Sequence, residues 1–230
     1  TKTPSNDGPV LYMEDLACRG EMTIGLSDYG NQSLRKAQFK RCYLDRIFTP
    51  DHYTGVANID EVDSCGFTQC KIGIYEAYGT SMVSNSIVSK AVKGDNDYIN
   101  CYVAYIATAE SRFINSIVSH EYSISATNEC YSCIGYPKNI FDGLYESNRE
   151  SNYSFEDEAS IFKPSGNPYE LQDSIKTNYL GIDGTQVGIY GGPAPFTPYT
   201  EVPKIKKFHV ANKSTAEGKL SVDIEVTTPQ

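Results

Sequence analysis

Positive charge is scarce in this chain. Its 230 residues include 20 Lys and Arg against 29 Asp and Glu, which leaves a net charge of −9 at pH 7. An acidic chain is repelled by phosphate backbones and by anionic lipid headgroups. The charge therefore argues against a nucleic-acid partner and against an anionic membrane surface.

Long apolar runs are also missing. A membrane-spanning helix needs about 20 consecutive, mostly apolar residues, and no run in this sequence reaches that length. We therefore predict no membrane-spanning segment. No signal peptide is visible, and the chain begins at Thr1 without methionine, so we expect a mature form from which a leader has been trimmed.

The sequence lacks the motifs that commit a chain to a reaction or a cofactor. It has no GxSxG serine elbow, no P-loop and no EF-hand spacing. Its three histidines, His52, His120 and His209, are far apart in sequence, so a histidine-based triad is not expected. We predict no cofactor, no metal site and no assignable catalytic residue.

Seven cysteines are present, an odd number that disfavours a complete disulfide framework. Cys65 and Cys70 form one candidate metal pair, and Cys130 and Cys133 form a second with the C-x-x-C spacing of zinc ligands. No further C-x-x-C or H-x-x-x-H completes either site, so zinc is not predicted. Most of the cysteines fall in a repeating column, which favours buried free thiols acting as small hydrophobes.

A fifteen-residue repeat between residues 82 and 119 is the main positive signal. Asn85, Asn100 and Asn115 occupy equivalent positions in its three copies. Each copy alternates with the period of a β-strand. A helical repeat is the alternative, and the density of Ser, Asn, Ile, Val and Tyr disfavours it. A fixed period of this kind indicates stacked structural units.

A column of small residues extends the repeat in both directions. Aligned on Ser86, the predicted column contains Cys18, Cys42, Cys65, Ser86, Cys101, Ser116 and Cys133. Strands that stack like residues above one another predict an all-β solenoid, a parallel β-helix. The wider spacing in the first part of the chain is interpreted as loops inserted between coils.

The alternation also predicts which side chains face outward. Ser86 and Val88 are assigned to the interior face, and Val83 to the opposite one. Tyr98 and Tyr102 share that opposite face, where we predict that they are ligand-binding residues whose rings stack on sugars. The three repeated asparagines are predicted to hydrogen-bond to one another along the solenoid axis.

Three regions divide the chain. We predict a β-helix over residues 1–192, with about seven coils in 10–136. A linker with four prolines follows at 193–203, and a C-terminal β-hairpin occupies 204–230. Within the first region, smaller elements are predicted: an acidic loop at 145–158, a short helix within 171–180, and a Gly-rich cap at 183–192.

The C-terminal part carries a resemblance to a known group of proteins. Residues 179–192 (YLGIDGTQVGIYGG), Pro195-Phe196 and residues 218–226 (GKLSVDIEV) are similar to the C-terminal end of secreted right-handed parallel β-helix proteins of Bacteroides-type gut bacteria, mostly of uncharacterised function. The resemblance covers roughly residues 80–230. It implies a right-handed, single-stranded solenoid of the pectin-lyase kind, an extracellular or outer-membrane surface location and a lipoprotein origin. It supplies no catalytic residues.

Two hypotheses about function remain open at this point. The first is a non-enzymatic, adhesive or glycan-binding surface protein whose partner is a polysaccharide or host glycan. The alternative is a polysaccharide lyase or glycoside hydrolase that acts on an acidic or plant or host glycan, with its site on the long inserts of residues 20–60. A groove in which carboxylates converge, alone or beside Lys or Arg, would favour the enzyme.

The charged residues considered for the enzyme fall into two groups. The carboxylates are Asp60, Glu61, Asp63, Asp95, Asp97 and Glu110, and the bases are Arg35, Lys36, Lys40 and Arg41. Asp95 and Asp97 are also candidates for calcium. They flank Asn96 in a predicted turn, where Asp and Asn are expected for local hydrogen bonding instead.

Overall fold

A computed structural model describes residues 10–23, 36–48, 64–107, 110–197, 204–210 and 222–227. The chain divides into two compact units, Thr1–Thr197 and Pro198–Gln230. The strands of the described residues are β1 (Val10–Glu14), β2 (Ala17–Thr23), β3 (Lys36–Lys40), β4 (Tyr43–Phe48), β5 (Ser64–Thr68), β6 (Lys71–Ser84), β7 (Ile87–Ile99), β8 (Tyr102–Val103), β9 (Arg112–Ile114), β10 (Ile117–Ser119), β11 (Glu129–Tyr131), β12 (Ile134–Tyr136), β13 (Arg149–Glu150), β14 (Tyr153–Ser154), β15 (Lys204–Val210) and β16 (Val222–Thr227). Helix α1 spans Asp173–Asn178, and two 3₁₀ turns lie at Glu146–Asn148 and Glu158–Ser160.

The first unit is a parallel β-helix, as the repeat predicted. Its first sheet pairs β1, β3, β5, the end of β6, the end of β7, β9, β11 and β13, all in parallel. Its second sheet pairs β2, β4, the start of β6, the start of β7, β8, β10, β12 and β14. Strands β13 and β14 add a coil at residues 149–154, so the prediction of an acidic loop over 145–158 is wrong there.

A single residue in each coil turns the chain from the first sheet to the second. These corner residues have φ between 45° and 56° and are Asp15, Arg41, Gln69, Asn85, Asn100, Asn115, Ser132 and Ser151. The left-handed backbone region is costly for most side chains and least so for Asn and Asp. The corner N–H donates to the next coil, as Asn85 N does to Ile99 O at 3.0 Å. The repeated asparagines therefore mark corners.

The corners show where the predicted column had the wrong register. The residues that follow them are Leu16, Cys42, Cys70, Ser86, Cys101, Ser116, Cys133 and Asn152. The column was therefore correct at five positions and wrong at Cys18 and Cys65. Cys18 lies two residues further along and pairs with Leu44, while Cys65 lies in the first sheet opposite Ser81. Matching cysteine to cysteine failed because inserts change the coil length.

Hydrogen bonding explains the Cys and Ser residues at six of these eight positions. The Cys101 sulfur lies 3.3 Å from Ile99 O and 3.2 Å from Val83 O, and these two acceptors share its one hydrogen. The Ser116 hydroxyl is placed in the same way, 2.9 Å from both Ile114 O and Tyr98 O. At these positions a small donor is suited to the site, so the thiols are more than small hydrophobes. The described cysteines, including Cys101, are free.

The interior is filled by residues from both sides of each corner. The corner breaks the strand alternation, so Val83 before it and Val88 after it both point inward and are fully buried. The prediction that placed Val83, Tyr98 and Phe113 on the outer face is therefore wrong. Tyr98 and Phe113 stack in the core with ring centroids 4.9 Å apart.

A second apolar cluster lies on the outer side of the second sheet. Its sheet residues open successive strands and are Ile87, Tyr102, Ile117 and Ile134. Residues 155–197, hereafter the covering segment, contribute Ile161, Phe162, Leu171, Ile175, Val187 and Ile189. Helix α1, inside the predicted range 171–180, belongs to this segment. The second sheet is therefore buried on both faces in these coils.

The second unit contains the predicted hairpin. Strands β15 and β16 pair antiparallel, with Lys204 opposite Thr227 and Val210 opposite Val222. Both strands lie within the range 204–230 that was predicted for the hairpin.

Candidate functional site

The two tyrosines predicted to bind ligand are not on the surface. Tyr98 is fully buried in the core. Tyr102 is 5% exposed, with its ring 4.0 Å from that of Tyr169 in the covering segment and its hydroxyl 2.8 Å from that of Tyr136. The expectation that these rings stack on sugars from an exposed face is therefore wrong. The corner places position 98 inside, and a non-repeating segment covers position 102.

The asparagine column binds the covering segment. Asn85 Nδ2 donates to Gly191 O at 2.6 Å and to Ile189 O at 3.2 Å. Asn115 Oδ1 accepts from Ile182 N at 2.8 Å. The predicted ladder of asparagine-to-asparagine bonds along the axis is wrong for these two side chains. The column instead holds an extended backbone against the corners.

The Gly-rich stretch forms the part of the covering segment that lies on this column. Gly188 N donates to Asn115 O at 2.7 Å. A Cβ on Gly192 would lie 2.1 Å from Asn100 Nδ2, and one on Gly181 would lie 2.6 Å from Asn115 Cγ. Glycine is required at these two positions because the asparagine side chains lie directly against the backbone of the covering segment. The stretch lies along the side of the solenoid, so the prediction of an end cap is wrong.

The described acidic candidates do not form a catalytic pair. Arg112 binds Asp97 through two bonds, Nε to Oδ1 at 2.9 Å and NH2 to Oδ2 at 2.6 Å, and this contact raises the pKa of Arg112. Asp95 and Glu110 are exposed. Across the described ranges, no three His, Cys, Asp or Glu side chains are grouped to hold a metal ion.

The structure describes the side chains of two of the four basic candidates, Lys40 and Arg41. Arg41 binds Asp15 through Nε and NH2, each 2.7 Å from a carboxylate oxygen. It also contacts Glu14. Glu14 in turn lies 3.3 Å from Lys40 Nζ. This network is on the surface, and its charges neutralise one another. Asp60, Glu61, Asp63, Arg35 and His52 lie outside the described residues, as do the side chains of Lys36 and His209.

A column of aromatic side chains, with half-buried central rings, lies on the surface at positions that were not predicted. Lys90, Tyr105 and His120 come from three successive coils, fifteen residues apart, and Tyr122 lies beside His120. Lys90 Nζ is 4.9 Å from the centroid of the Tyr105 ring, which is 4.6 Å from that of His120. The Tyr122 ring is 6.2 Å from His120 and 70% exposed. These four residues are called the aromatic column below.

The orientation of His120 leaves one of its nitrogens for a ligand. Its Nδ1 accepts a hydrogen bond from Tyr122 N at 3.0 Å. The proton of the neutral imidazole is therefore on Nε2. Among the described residues, no hydrogen bond engages Nε2, so the aromatic column presents two half-buried rings, one N–H donor and the Lys90 ammonium.

The signal for the aromatic column was present in the repeat. Counting fifteen residues from Lys90 gives Tyr105, and fifteen more gives His120. The first and third copies of the repeat were taken to end at Ser89 and Ser119, so the next position, which holds Lys90 and His120, was left out. The covering segment had no such signal because it does not repeat.

Comparisons of the chain with protein-family models, with curated proteins and with solved structures found no match. The strand pairing alone defines the class of fold, a parallel β-helix with an outer covering segment. Within the described part of the chain, helices long and apolar enough to cross a bilayer are absent.

Proposed function

We propose that this protein is a non-enzymatic, cell-surface or secreted glycan-binding protein and that the aromatic column is its binding surface. The observation that carries the proposal is the alignment of Lys90, Tyr105 and His120 on successive coils, with Lys90 exposed and the rings of Tyr105 and His120 half-buried at the surface. Aromatic rings stack on the apolar faces of sugars, and polar groups beside them bind hydroxyls.

The geometry of the coils favours an extended ligand that runs along the solenoid axis. Neighbouring coils in a parallel sheet are about 4.8 Å apart, which is close to the length of one pyranose ring. A glycan chain lying along the aromatic column therefore presents one sugar to each coil. The rigid sheet fixes these side chains before binding, which reduces the entropy lost on association.

Charge decides which glycans suit the aromatic column. The Lys90 ammonium is exposed and lies against the Tyr105 ring. It supplies a local positive group on a chain whose net charge is −9. We expect neutral or sparsely charged glycans to bind, because long polyanions are repelled by the overall charge.

A glycan array followed by titration of the best-bound oligosaccharide tests the proposal. Tyr105→Ala removes the central ring, and we expect affinity to fall about tenfold, the equivalent of about 1.4 kcal/mol of stacking. His120→Ala should have a similar effect. Tyr145→Ala is the matched control, since Tyr145 is 59% exposed and lies outside the aromatic column. Equal affinities for all variants would refute this site.

The same polysaccharides should be incubated with the wild type and assayed for reducing ends and unsaturated products. We expect neither product. The lyase or hydrolase hypothesis places its site on the long inserts of residues 20–60, of which 24–35 and 49–60 lie outside the described residues. Turnover by the wild type that survives Tyr105→Ala would establish that alternative.

A further inference from the structure

The covering segment contains a polar cavity of about 270 Å³ that is separate from the aromatic column. Five residues from three parts of the segment line it: Asn167, Glu170, Lys176, Gln186 and Tyr190. Pockets for drug-sized molecules occupy about 300–1,000 Å³. This cavity therefore suits a ligand of roughly the size of one monosaccharide.

Two of the lining residues are held in place by neighbours. Glu170 Oε1 lies 3.0 Å from Lys163 Nζ, which also lies 2.8 Å from Asp173 Oδ1. The Lys163 contact holds the pKa of Glu170 below its ordinary value, so this carboxylate is ionised. Tyr190 donates its hydroxyl to Pro168 O at 2.8 Å. These contacts fix one acceptor and one ring at the edge of the cavity.

The other three lining residues have unused hydrogen-bonding capacity. Within the described part of the chain, the side chains of Asn167, Lys176 and Gln186 make no hydrogen bond or ion pair. They offer one ammonium and two primary amides, which are seven N–H donors by the chemistry of these groups. Donors of this kind, arranged around one space, match the oxygens of a carboxylate.

The charges and hydrogen-bonding groups of the lining residues narrow the chemical class of the ligand further. The Lys176 ammonium attracts one negative charge, and no other described residue that lines the cavity is cationic, so a second negative charge on the ligand would be unpaired. Glu170 and the amide oxygens accept hydrogen bonds and so favour hydroxyl groups on the ligand. We infer that the cavity binds a small monocarboxylate that carries several hydroxyl groups, a sugar acid by chemical class. This inference is independent of glycan binding at the aromatic column.

Calorimetric titration of the full chain with three probes tests this inference. Glucuronate has both features, glucose lacks the carboxylate, and propionate lacks the hydroxyls. We expect saturable one-to-one binding of glucuronate, at least tenfold tighter than that of glucose or propionate. Alanine, a zwitterion, should bind no better than propionate because Lys163 already neutralises Glu170.

Variants assign the binding to the cavity. Lys176→Met should weaken glucuronate at least tenfold, and Gln186→Ala should weaken it severalfold. Lys138→Met is the matched control, because Lys138 is a surface lysine, paired with Glu156 at 3.0 Å, away from the cavity. Tyr105→Ala should leave glucuronate binding unchanged, which separates this cavity from the aromatic column. The inference is overturned if glucuronate fails to saturate, if Lys176→Met binds it as the wild type does, or if alanine or propionate binds as tightly.

Discussion

The two faces of the second sheet are stabilised in different ways. On the inner face, each coil places Val88, Val103 or Val118 above its equivalent in the neighbouring coil, and the cluster repeats. On the outer face, Ile87 and Ile117 are covered by residues 155–197, which contain no repeat. The inner face is therefore stabilised by local stacking, and the outer face by one long-range contact between distant parts of the chain.

This difference has a consequence for cooperativity. A solenoid is stabilised by contacts between neighbouring coils. The covering segment bridges corners from Asn115 to Asn85 and reaches Gln69, whose Nε2 donates to Pro195 O at 2.5 Å. It therefore ties several coils together and should make them unfold as one unit. The residues that follow the corners, such as Cys101 and Ser116, are called the inner column below. Changes to the inner column should destabilise the whole solenoid. Changes to the covering segment should act first on the outer face of the second sheet.

The largest effect is expected from a charge in the inner column. Cys101 is fully buried, and burial raises the pKa of its thiol to about 12. Cys101→Arg forces an unpaired charge into this space, and we expect it to cost more than about 4 kcal/mol of unfolding free energy. Urea unfolding followed by circular dichroism measures it. Ser89→Arg is the control on an exposed position, and it should change stability by less than about 0.5 kcal/mol.

A smaller effect is expected where the covering segment meets the sheet. Gly188 has φ of +86°, and a Cβ there would lie 2.5 Å from Ile117 Cδ1. Gly188→Ala should cost about 3 kcal/mol, from backbone strain and from the collision. Gly184 also has a positive φ, +75°, but open space around it, so Gly184→Ala should cost only about 1 kcal/mol.

Hydrogen exchange locates the effect of Gly188→Ala. Amides of residues 181–192 should exchange faster than in the wild type, while those of β9 (Arg112–Ile114) in the first sheet remain protected. Equal acceleration in both places would show that the covering segment and the coils open together.

The sequence predicted the repeating part of the fold and missed the part that does not repeat. The fifteen-residue period and small-residue column were enough to identify the β-helix, because stacked coils impose the same environment on equivalent positions. The register failed at Cys65, since inserts change coil length. The burial of Tyr102 was missed because its partner Tyr169 is 67 positions away and belongs to no pattern.

The two candidate binding sites differ in the same way, because one follows the repeat and the other does not. The aromatic column obeys the period, and a count from Lys90 finds Tyr105 and His120. The cavity in the covering segment has no equivalent in any coil. Its lining residues, such as Glu170 and Gln186, come together only through the tertiary fold of that segment. Sequence periodicity alone contains no information about them.

The corner asparagines test how strongly the covering segment is held. Asn85→Ala removes two hydrogen bonds to the segment and a residue suited to φ of 45°. We expect it to cost about 2 kcal/mol, since two buried carbonyls lose their donor. Asn100 has a similar φ, but its buried Oδ1 has no hydrogen-bond partner among the residues that the structure describes. Asn100→Ala should therefore cost about 1 kcal/mol, mainly from the backbone.

Thermal unfolding of the two asparagine variants measures this difference. A loss for Asn100→Ala equal to that for Asn85→Ala would mean that backbone conformation alone explains the repeated asparagines. The bonds to Ile189 and Gly191 would then contribute nothing to stability.

The smallest effect is expected when the two donors of the inner column are exchanged. Cys101 and Ser116 occupy equivalent positions in adjacent coils, and each has a single hydrogen that faces one carbonyl in its own coil and one in the preceding coil. Cys101→Ser keeps this shared donor, which binds more strongly as a hydroxyl, and loses some apolar contact. These changes oppose each other, so we expect a net cost below about 1 kcal/mol. Cys101→Ala removes the donor together with the γ atom and is the comparison for Cys101→Ser. If Ala is tolerated as well as Ser, the column selects small size alone; if Ala costs about 1–2 kcal/mol more than Ser, the hydrogen bonds explain why this column contains Cys and Ser.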